Sequence, residues 1–233
     1  GAASDKRRHA WTSNTIAHNV VVVNRKGQIK DAGGVAEMFE RSPFVKVACA
    51  RGSDNYAETD VYDRDLVLVD IDDGDGYMVD VFRVRGGDDH MYSFHSAEGA
   101  VKDQGLQLRK QDGTLAGQDI PYAELPMTHG GPWDFPEEDR SGYDYLYHVE
   151  RDTNPQQGWS VDWAITDTWG VLEQPCDVHL KLTMLSDVDD VVLADGDPPQ
   201  LGKGNARRLK FVLAHREGKN IESCFVSIIE PYR

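Results

Sequence analysis

Short apolar stretches, each closed by a cluster of Gly, Pro, Asp or Asn, run along almost the whole of this 233-residue chain. The stretches are rich in β-branched and aromatic residues, which suit the pleated, half-buried surface of a sheet. No segment keeps an apolar period of 3.6 residues over the ten or so residues that an ordinary helix requires. The pattern predicts strands at residues 15–24, 44–51, 63–70, 77–85, 90–96, 100–109, 143–151, 159–165, 176–184, 191–194, 207–215 and 224–229.

The connections between these segments favour antiparallel pairing. Asp-Gly pairs within residues 71–76 are a strong hairpin signal between two of the predicted strands. Residues 35–41 suggest one turn of helix at most. The prediction is an all-β fold, an antiparallel two-sheet β-sandwich of about twelve strands with little helix, formed as a single domain over residues 1–233. A long Pro- and Gly-containing loop at about 114–140 is the one place where a domain boundary is the alternative.

Composition excludes several classes of function. The formal net charge of −15 disfavours nucleic acid as a partner, and it disfavours this surface as the main contact for a polyanion. No apolar run approaches the roughly 18 to 20 residues of a membrane span. The motifs of serine hydrolases, zinc proteases, P-loop proteins and dinucleotide-binding proteins are all absent from the sequence.

The cysteines carry no metal or disulfide signature. Cys49, Cys176 and Cys224 are far apart, are odd in number and form no CxxC pair. All three are interpreted as structural residues.

His18 and Asn19 stand directly before four consecutive valines in the predicted strand at 15–24. A neutral imidazole on such a rigid element can ligate a metal or transfer protons. The alternative is a structural histidine whose ring nitrogens bond to backbone groups. Asn19 is predicted to satisfy backbone groups rather than to contact a substrate.

Two further groups of residues are candidates for substrate binding. His90 and His95 are five residues apart, so one strand would place them on opposite faces. Tyr143, Tyr145 and Tyr147 would share one strand face, where their rings could stack on sugar rings. The alternatives are two unrelated strand histidines and a row of tyrosines that belongs to the core.

Several segments of the chain resemble one enzyme family. Residues 11–23 with Gly27 and Gln28 are similar to the "aHNtvvvdg..Q" segment of the heparinase II/III-like polysaccharide lyases. Similar segments follow in the family's order, at residues 62–69, 79–87, 90–95 and 225–231. Each motif is short, but together and in order they span nearly the whole chain.

This resemblance implies the C-terminal β-sandwich of a lyase that cleaves uronate-containing acidic polysaccharides, such as glycosaminoglycans, by β-elimination. It implies that His18 is a zinc ligand, completed by a His and an Asp from upstream segments that are absent here. It also implies an upstream helical toroid in the same chain, which would carry most of the catalytic groups. No catalytic residue is therefore assigned, and the fragment is expected to be incomplete for catalysis and to hold no certain cofactor alone.

Other expectations remain open at this point. The alternative function is a noncatalytic carbohydrate-binding sandwich, followed by a purely structural interaction domain. An exposed aromatic strip would favour binding, whereas an accessible His18 with open space beside it would favour the lyase fragment. Residues 1–8 do not form a signal peptide, and the resemblance implies a periplasmic or secreted protein.

Overall fold

A computed structural model describes residues 11–52, 54–72, 74–124, 141–172, 174, 176–198 and 206–233. These residues contain fourteen strands, arranged in two antiparallel sheets of six and eight strands. The predicted all-β antiparallel sandwich is confirmed. Within the described residues, no helix is long and apolar enough to cross a membrane.

The six-stranded sheet carries the candidate site. With strands numbered in chain order, its spatial order is β1 (Val20–Val23), β6 (Asp89–His95), β13 (Leu209–Glu217), β12 (Asp190–Gly196), β9 (Leu146–Asp152) and β8 (Arg109–Lys110).

The eight-stranded sheet forms the second layer. Its spatial order is β2 (Gly34–Arg41), β3 (Val45–Gly52), β4 (Val61–Asp70), β5 (Gly76–Arg85), β14 (Glu222–Tyr232), β11 (His179–Met184), β10 (Ser160–Ile165) and β7 (Gly99–Gln104). The hairpin predicted from the Asp-Gly pairs is confirmed as β4 and β5, which pair from Val61↔Arg85 to Asp70↔Gly76.

Each face of the six-stranded sheet is covered by apolar packing. Alternate residues such as Val212 of β13 point into the main core, where they meet Trp163 and Phe225 of the other sheet. The intervening residues, such as Phe211, point to the opposite face and pack against Trp11 of the chain's first described segment. This second apolar cluster holds the 11–18 segment against the sheet.

A buried ion pair of the eight-stranded sheet is hydrogen-bonded to the six-stranded sheet close to β1. The Arg64 guanidinium donates to both carboxylate oxygens of Asp80, at 2.8 Å and 2.7 Å, and the Asp80 side chain is fully buried. The Tyr92 hydroxyl of the other sheet donates to the same carboxylate at 3.0 Å, and Arg64 also donates to the Asn19 carbonyl at 2.7 Å. Because a buried charge without its partner is costly, this network fixes where β1 begins relative to β4 and β5.

Three local expectations are wrong. Residues 34–41 form strand β2 rather than a helical turn, because β3 supplies a complete backbone partner. The strand predicted at 15–24 starts only at Val20, since Thr15–Ala17 form a 3₁₀ turn. The stretch predicted as one strand at 100–109 is divided between β7 and the two-residue β8.

The remaining sequence expectations have mixed outcomes. All three cysteines are free, and Cys176 and Cys224 are exposed, so Cys224 does not pack as a small apolar strand residue. Residues 114–124 of the predicted loop are described and contain an isolated bridge between Thr114 and Tyr147. Residues 125–140 of that loop lie outside the described residues. The assignment of one domain over residues 1–233 stays a prediction.

Candidate functional site

A continuous series of ring contacts runs over the end of the six-stranded sheet, where β12 ends and β13 begins. We call it the aromatic belt. It links His95 to Phe211 at 4.6 Å between ring centroids, Phe211 to Trp11 at 5.6 Å, Trp11 to Tyr145 at 5.9 Å, Tyr145 to Tyr122 at 5.5 Å and Tyr122 to Tyr147 at 5.1 Å. Residues far apart in sequence are thereby joined into one surface.

His18 lies at one end of the aromatic belt and is exposed. It follows the 3₁₀ turn, and its backbone N–H donates to the Thr15 carbonyl at 3.1 Å, which directs the chain from the turn into β1. The side chain borders two open cavities. One, of about 240 Å³, is shared with Trp11 and His95, and the other, of about 330 Å³, is shared with Gln28. His18, predicted as a metal ligand, and His95, predicted separately as a substrate contact, thus line a single cavity.

His95 is more enclosed than His18. Its Nδ1 lies 3.0 Å from the Ser96 carbonyl, and its ring packs on Phe211. Burial lowers the pKa of His95 below its ordinary value, and a charge on His18 acts in the same direction. His95 is therefore a neutral imidazole at neutral pH. His18 is the more exposed of the two histidines that line this cavity.

Asn19 holds this histidine pair in place. Its side-chain oxygen accepts the His95 backbone N–H at 2.9 Å, and its amide donates to the His95 carbonyl at 3.1 Å. The side chain thus continues the β1–β6 ladder by one more residue. The prediction that Asn19 satisfies backbone groups is confirmed.

His90 occupies the opposite end of β6 and is fully buried. Its Nε2 donates to the Gly86 carbonyl at 2.9 Å, and its Nδ1 lies 2.8 Å from the Ser223 hydroxyl oxygen. Burial lowers the pKa of His90, which keeps the ring neutral in this setting. A role for His90 in substrate binding stays a prediction, and its geometry is that of a structural histidine.

The three tyrosines do not share one strand face. Tyr143–Tyr145 form a 3₁₀ turn, and β9 begins only at Leu146, so the period-two argument was wrong. Tyr143 is almost fully buried in the second apolar cluster, and burial raises its pKa strongly. Tyr145 and Tyr147 are half-buried members of the aromatic belt. Burial and a 2.8 Å hydrogen bond to Asp197 raise the pKa of Tyr147 to about 12.

Sequence reasoning missed the polar residues beside Tyr147. His148 has a left-handed backbone, with φ of 49°, where the β9–β12 register shifts between Leu193 and Asp195. Its exposed ring donates from Nδ1 to Asp195 at 2.9 Å. Arg208 lies over the Tyr147 ring at 5.4 Å from its centroid. Such a bulge changes the direction of the side chains at that point of the strand, and it can be recognised only from the pairing of β9 with β12.

The described residues do not contain a complete metal site. No group of three or more His, Cys, Asp or Glu side chains in this part of the chain is placed to hold a metal ion. His18 is exposed beside open space and can supply one nitrogen ligand, but tetrahedral zinc needs further ligands.

Comparison with known proteins gives a match in structure only. No family model matches the sequence, and no curated protein matches it. Among solved structures, the heparan sulfate lyase HepC from Pedobacter heparinus matches 94% of this chain with a TM-score of 0.51 and 14% identity. A heparinase III gene product matches 100% with a TM-score of 0.53 and 11% identity, and a further heparinase III structure matches 98% with a TM-score of 0.50 and 10% identity.

The matched region is a small part of each of these lyases. The chain spans only 24%, 26% and 26% of their respective lengths. At this level of identity the similarity shows the fold alone. Nearly all of this chain therefore has the fold of a region that forms about a quarter of the heparinase III structures.

Proposed function

We propose that this chain is the C-terminal β-sandwich of a heparinase II/III-like lyase that cleaves uronate-containing acidic polysaccharides by β-elimination. The sandwich forms one wall of the substrate cleft, and an upstream helical toroid of the same protein forms the rest. The shared fold, together with the order of the sequence segments that resemble the family, supports this proposal.

The observation that carries the proposal is the position of His18. It is exposed, stands at the start of a rigid strand and borders two cavities of about 240 and 330 Å³. A buried histidine with both nitrogens bonded, like His90, would have no room for ligands from another domain. Open space beside His18 is what a shared metal site or a domain contact requires.

In the proposed full-length protein, His18 supplies one ligand to zinc and upstream residues supply the others. When bound, zinc has a structural role there, holding the sandwich against the preceding domain. Asn19 bonds to the backbone of His95 and so holds the start of β1 beside β6. Neutral His95 lines the same cavity as His18.

The aromatic belt supplies the sugar contacts in this proposal. Tyr145 and Tyr147 are half-buried, and an apolar sugar face can pack on the exposed part of their rings. Arg208 lies next to Tyr147, and its ion pairs with Asp195 and Asp197 are long, at 3.5 and 3.8 Å. The guanidinium is thus placed to donate hydrogen bonds to a uronate carboxylate, whose charge must be offset before the C5 proton can leave.

The alternative, a noncatalytic carbohydrate-binding module, is less well supported. A module that bound sugars without a second domain would need a row of rings fully open to solvent, because no other wall of a cleft would add contacts. Here Tyr143 is buried, and Tyr145 and Tyr147 are half-buried against their neighbours. A periplasmic or secreted location is part of the lyase proposal, because its polysaccharide substrates lie outside the cytoplasm.

The test compares the 233-residue chain with the full-length gene product on a panel of uronate polysaccharides. We expect unsaturated products, detected by ultraviolet absorbance, from the full-length protein alone. His18→Ala in the full-length protein should lower both zinc content and activity at least about tenfold. His179→Ala, on β11 of the other sheet, is the control and should leave both unchanged. Absence of product with the full-length protein on every polymer would refute the lyase.

A further inference from the structure

A polar groove of about 560 Å³ lies at the open edge of the six-stranded sheet, where the two-residue β8 pairs with β9. Seven of the eleven described side chains that line it are amides or guanidinium groups, among them Gln107, Arg109, Gln111, Gln118, Arg151 and Asn154. The other four are Lys110, Thr153 and the carboxylates Asp112 and Asp152. No apolar side chain lines it among the described residues. Such a groove suits a hydroxyl-rich or charged ligand rather than an apolar one.

Two arginines face each other across this groove. Arg109 of β8 is directly opposite Arg151 of β9 in the strand register. Directly opposed side chains of an antiparallel pair have Cβ atoms about 5 Å apart, and like charges at that distance destabilise the sheet. An anion bound between them would remove this repulsion.

Only one of the two arginines is compensated by protein groups. Arg151 is paired with Asp190 and donates from Nε to Gln111 at 3.1 Å. Arg109 is exposed and forms no ion pair with any described residue. The neighbouring Lys110 is opposite Glu150. Arg109 is therefore a cation of this groove with no carboxylate partner among the described residues, and it lies beside Arg151.

The carboxylates at the groove do not neutralise Arg109. Asp152 is buried, and its two oxygens accept the backbone N–H groups of Gln107 at 2.7 Å and Asn154 at 3.0 Å. Asp112 is exposed at the rim. In a chain with 40 acidic and 25 basic residues, a groove centred on two arginines is a local exception to the overall charge.

We propose that this groove binds the carboxylate or sulfate group of a sugar unit within an acidic oligosaccharide. Arg109 would form the forked, charge-assisted contact, and the surrounding amides would bond to sugar hydroxyls. The inference rests on the proposed function and extends it, because it gives a strongly acidic domain a local site for an acidic substrate.

The test measures binding of a heparin-derived hexasaccharide and its desulfated counterpart to the 233-residue chain by calorimetry. We expect Arg109→Glu to weaken binding at least tenfold and to reduce its salt dependence. Arg41→Glu is the matched control, since Arg41 is exposed on the edge strand of the other sheet and the charge change is the same. Loss of binding on desulfation identifies sulfate as the bound group, and retained binding identifies the carboxylate.

Several outcomes would overturn the inference. They are equal affinities of Arg109→Glu and Arg41→Glu, or no binding of either saccharide by the unaltered chain. The lyase assay on the full-length protein is independent of these results. If the full-length protein forms product but binding does not depend on Arg109, the proposed function stands and the groove proposal is refuted. If binding depends on Arg109 but the full-length protein forms no product, the groove proposal stands and the lyase proposal is refuted.

Discussion

His215 lies buried on β13 between two carboxylates of the six-stranded sheet. Its Nδ1 is 2.8 Å from Asp190, and its Nε2 is 3.3 Å from Asp89. Burial by itself lowers the pKa of His215, but the hydrogen bond to Asp190 and the negative charge of Asp89 outweigh burial and raise it to about 9. The folded state therefore holds a protonated imidazole at neutral pH.

This raised pKa makes stability depend on pH in a defined direction. An unfolded histidine has a pKa of about 6.5, so the stabilising contribution is complete below that pH and is lost as the pH rises through about 9. We expect the difference in unfolding free energy between the unaltered chain and His215→Gln to shrink by about 3 kcal/mol from pH 6 to pH 10. Urea unfolding at the two pH values measures it.

Val212→Ala is the control for this experiment, because it removes only methyl groups from the same strand. Its cost should be the same at pH 6 and pH 10. If His215→Gln lowers the unfolding free energy equally at both pH values, the assignment of a charged His215 paired with two carboxylates is wrong.

At the scale of single elements, the end of β12 depends on a close backbone approach. An ideal Cβ atom at Gly196 would be 2.7 Å from Phe211 Cε2 and 2.8 Å from Trp11 Cζ2. The rings of the aromatic belt therefore rest directly on this glycine. A side chain at residue 196 would displace the rings of Phe211 and Trp11, and His95 packs on that same Phe211 ring.

We expect Gly196→Ala to destabilise the protein by about 1–3 kcal/mol, because the two rings must move out of well-packed positions. The same substitution at Gly74, in the β4–β5 turn, is the control. A Cβ atom there would approach nothing closer than Asp72 Oδ1 at 3.9 Å. Denaturant unfolding followed by tryptophan fluorescence compares the two, and equal stabilities would show that the rings are loosely packed.

At the scale of the whole molecule, the two sheets share one continuous core. Trp159 and Trp163, from the eight-stranded layer, pack in the same buried cluster as Val191 and Val212 of the six-stranded layer. Neither sheet can lose its partner without exposing large apolar side chains to water. The buried Arg64–Asp80 pair, which Tyr92 joins from the other sheet, adds a polar connection.

The described sandwich should therefore unfold as a single cooperative unit. We expect urea transitions followed by tryptophan fluorescence and by far-ultraviolet circular dichroism to coincide. Separate midpoints for the two signals would mean that the layers unfold independently, and they would contradict the assignment of a single domain.

The local pattern of residues determined the fold class and most of the strands. The valines of β1 and the Asp-Gly turn between β4 and β5 are strong signals because each depends on neighbouring residues alone. Asn19 was also predicted correctly, since a short amide beside a strand has few other roles. The prediction failed for residues 34–41, where pairing with the next strand, β3, decided the backbone, and for Tyr143–Tyr145, which form a 3₁₀ turn before β9.

The tertiary structure alone decided the candidate site. The aromatic belt joins Trp11, Tyr122 and Phe211, whose contacts depend on which strands become neighbours. The bulge at His148 and the opposition of Arg109 to Arg151 are likewise set by strand register. Strand formation is a short-range property of the sequence, whereas register and layer packing are set by the burial of the shared core, and these bring the functional side chains together.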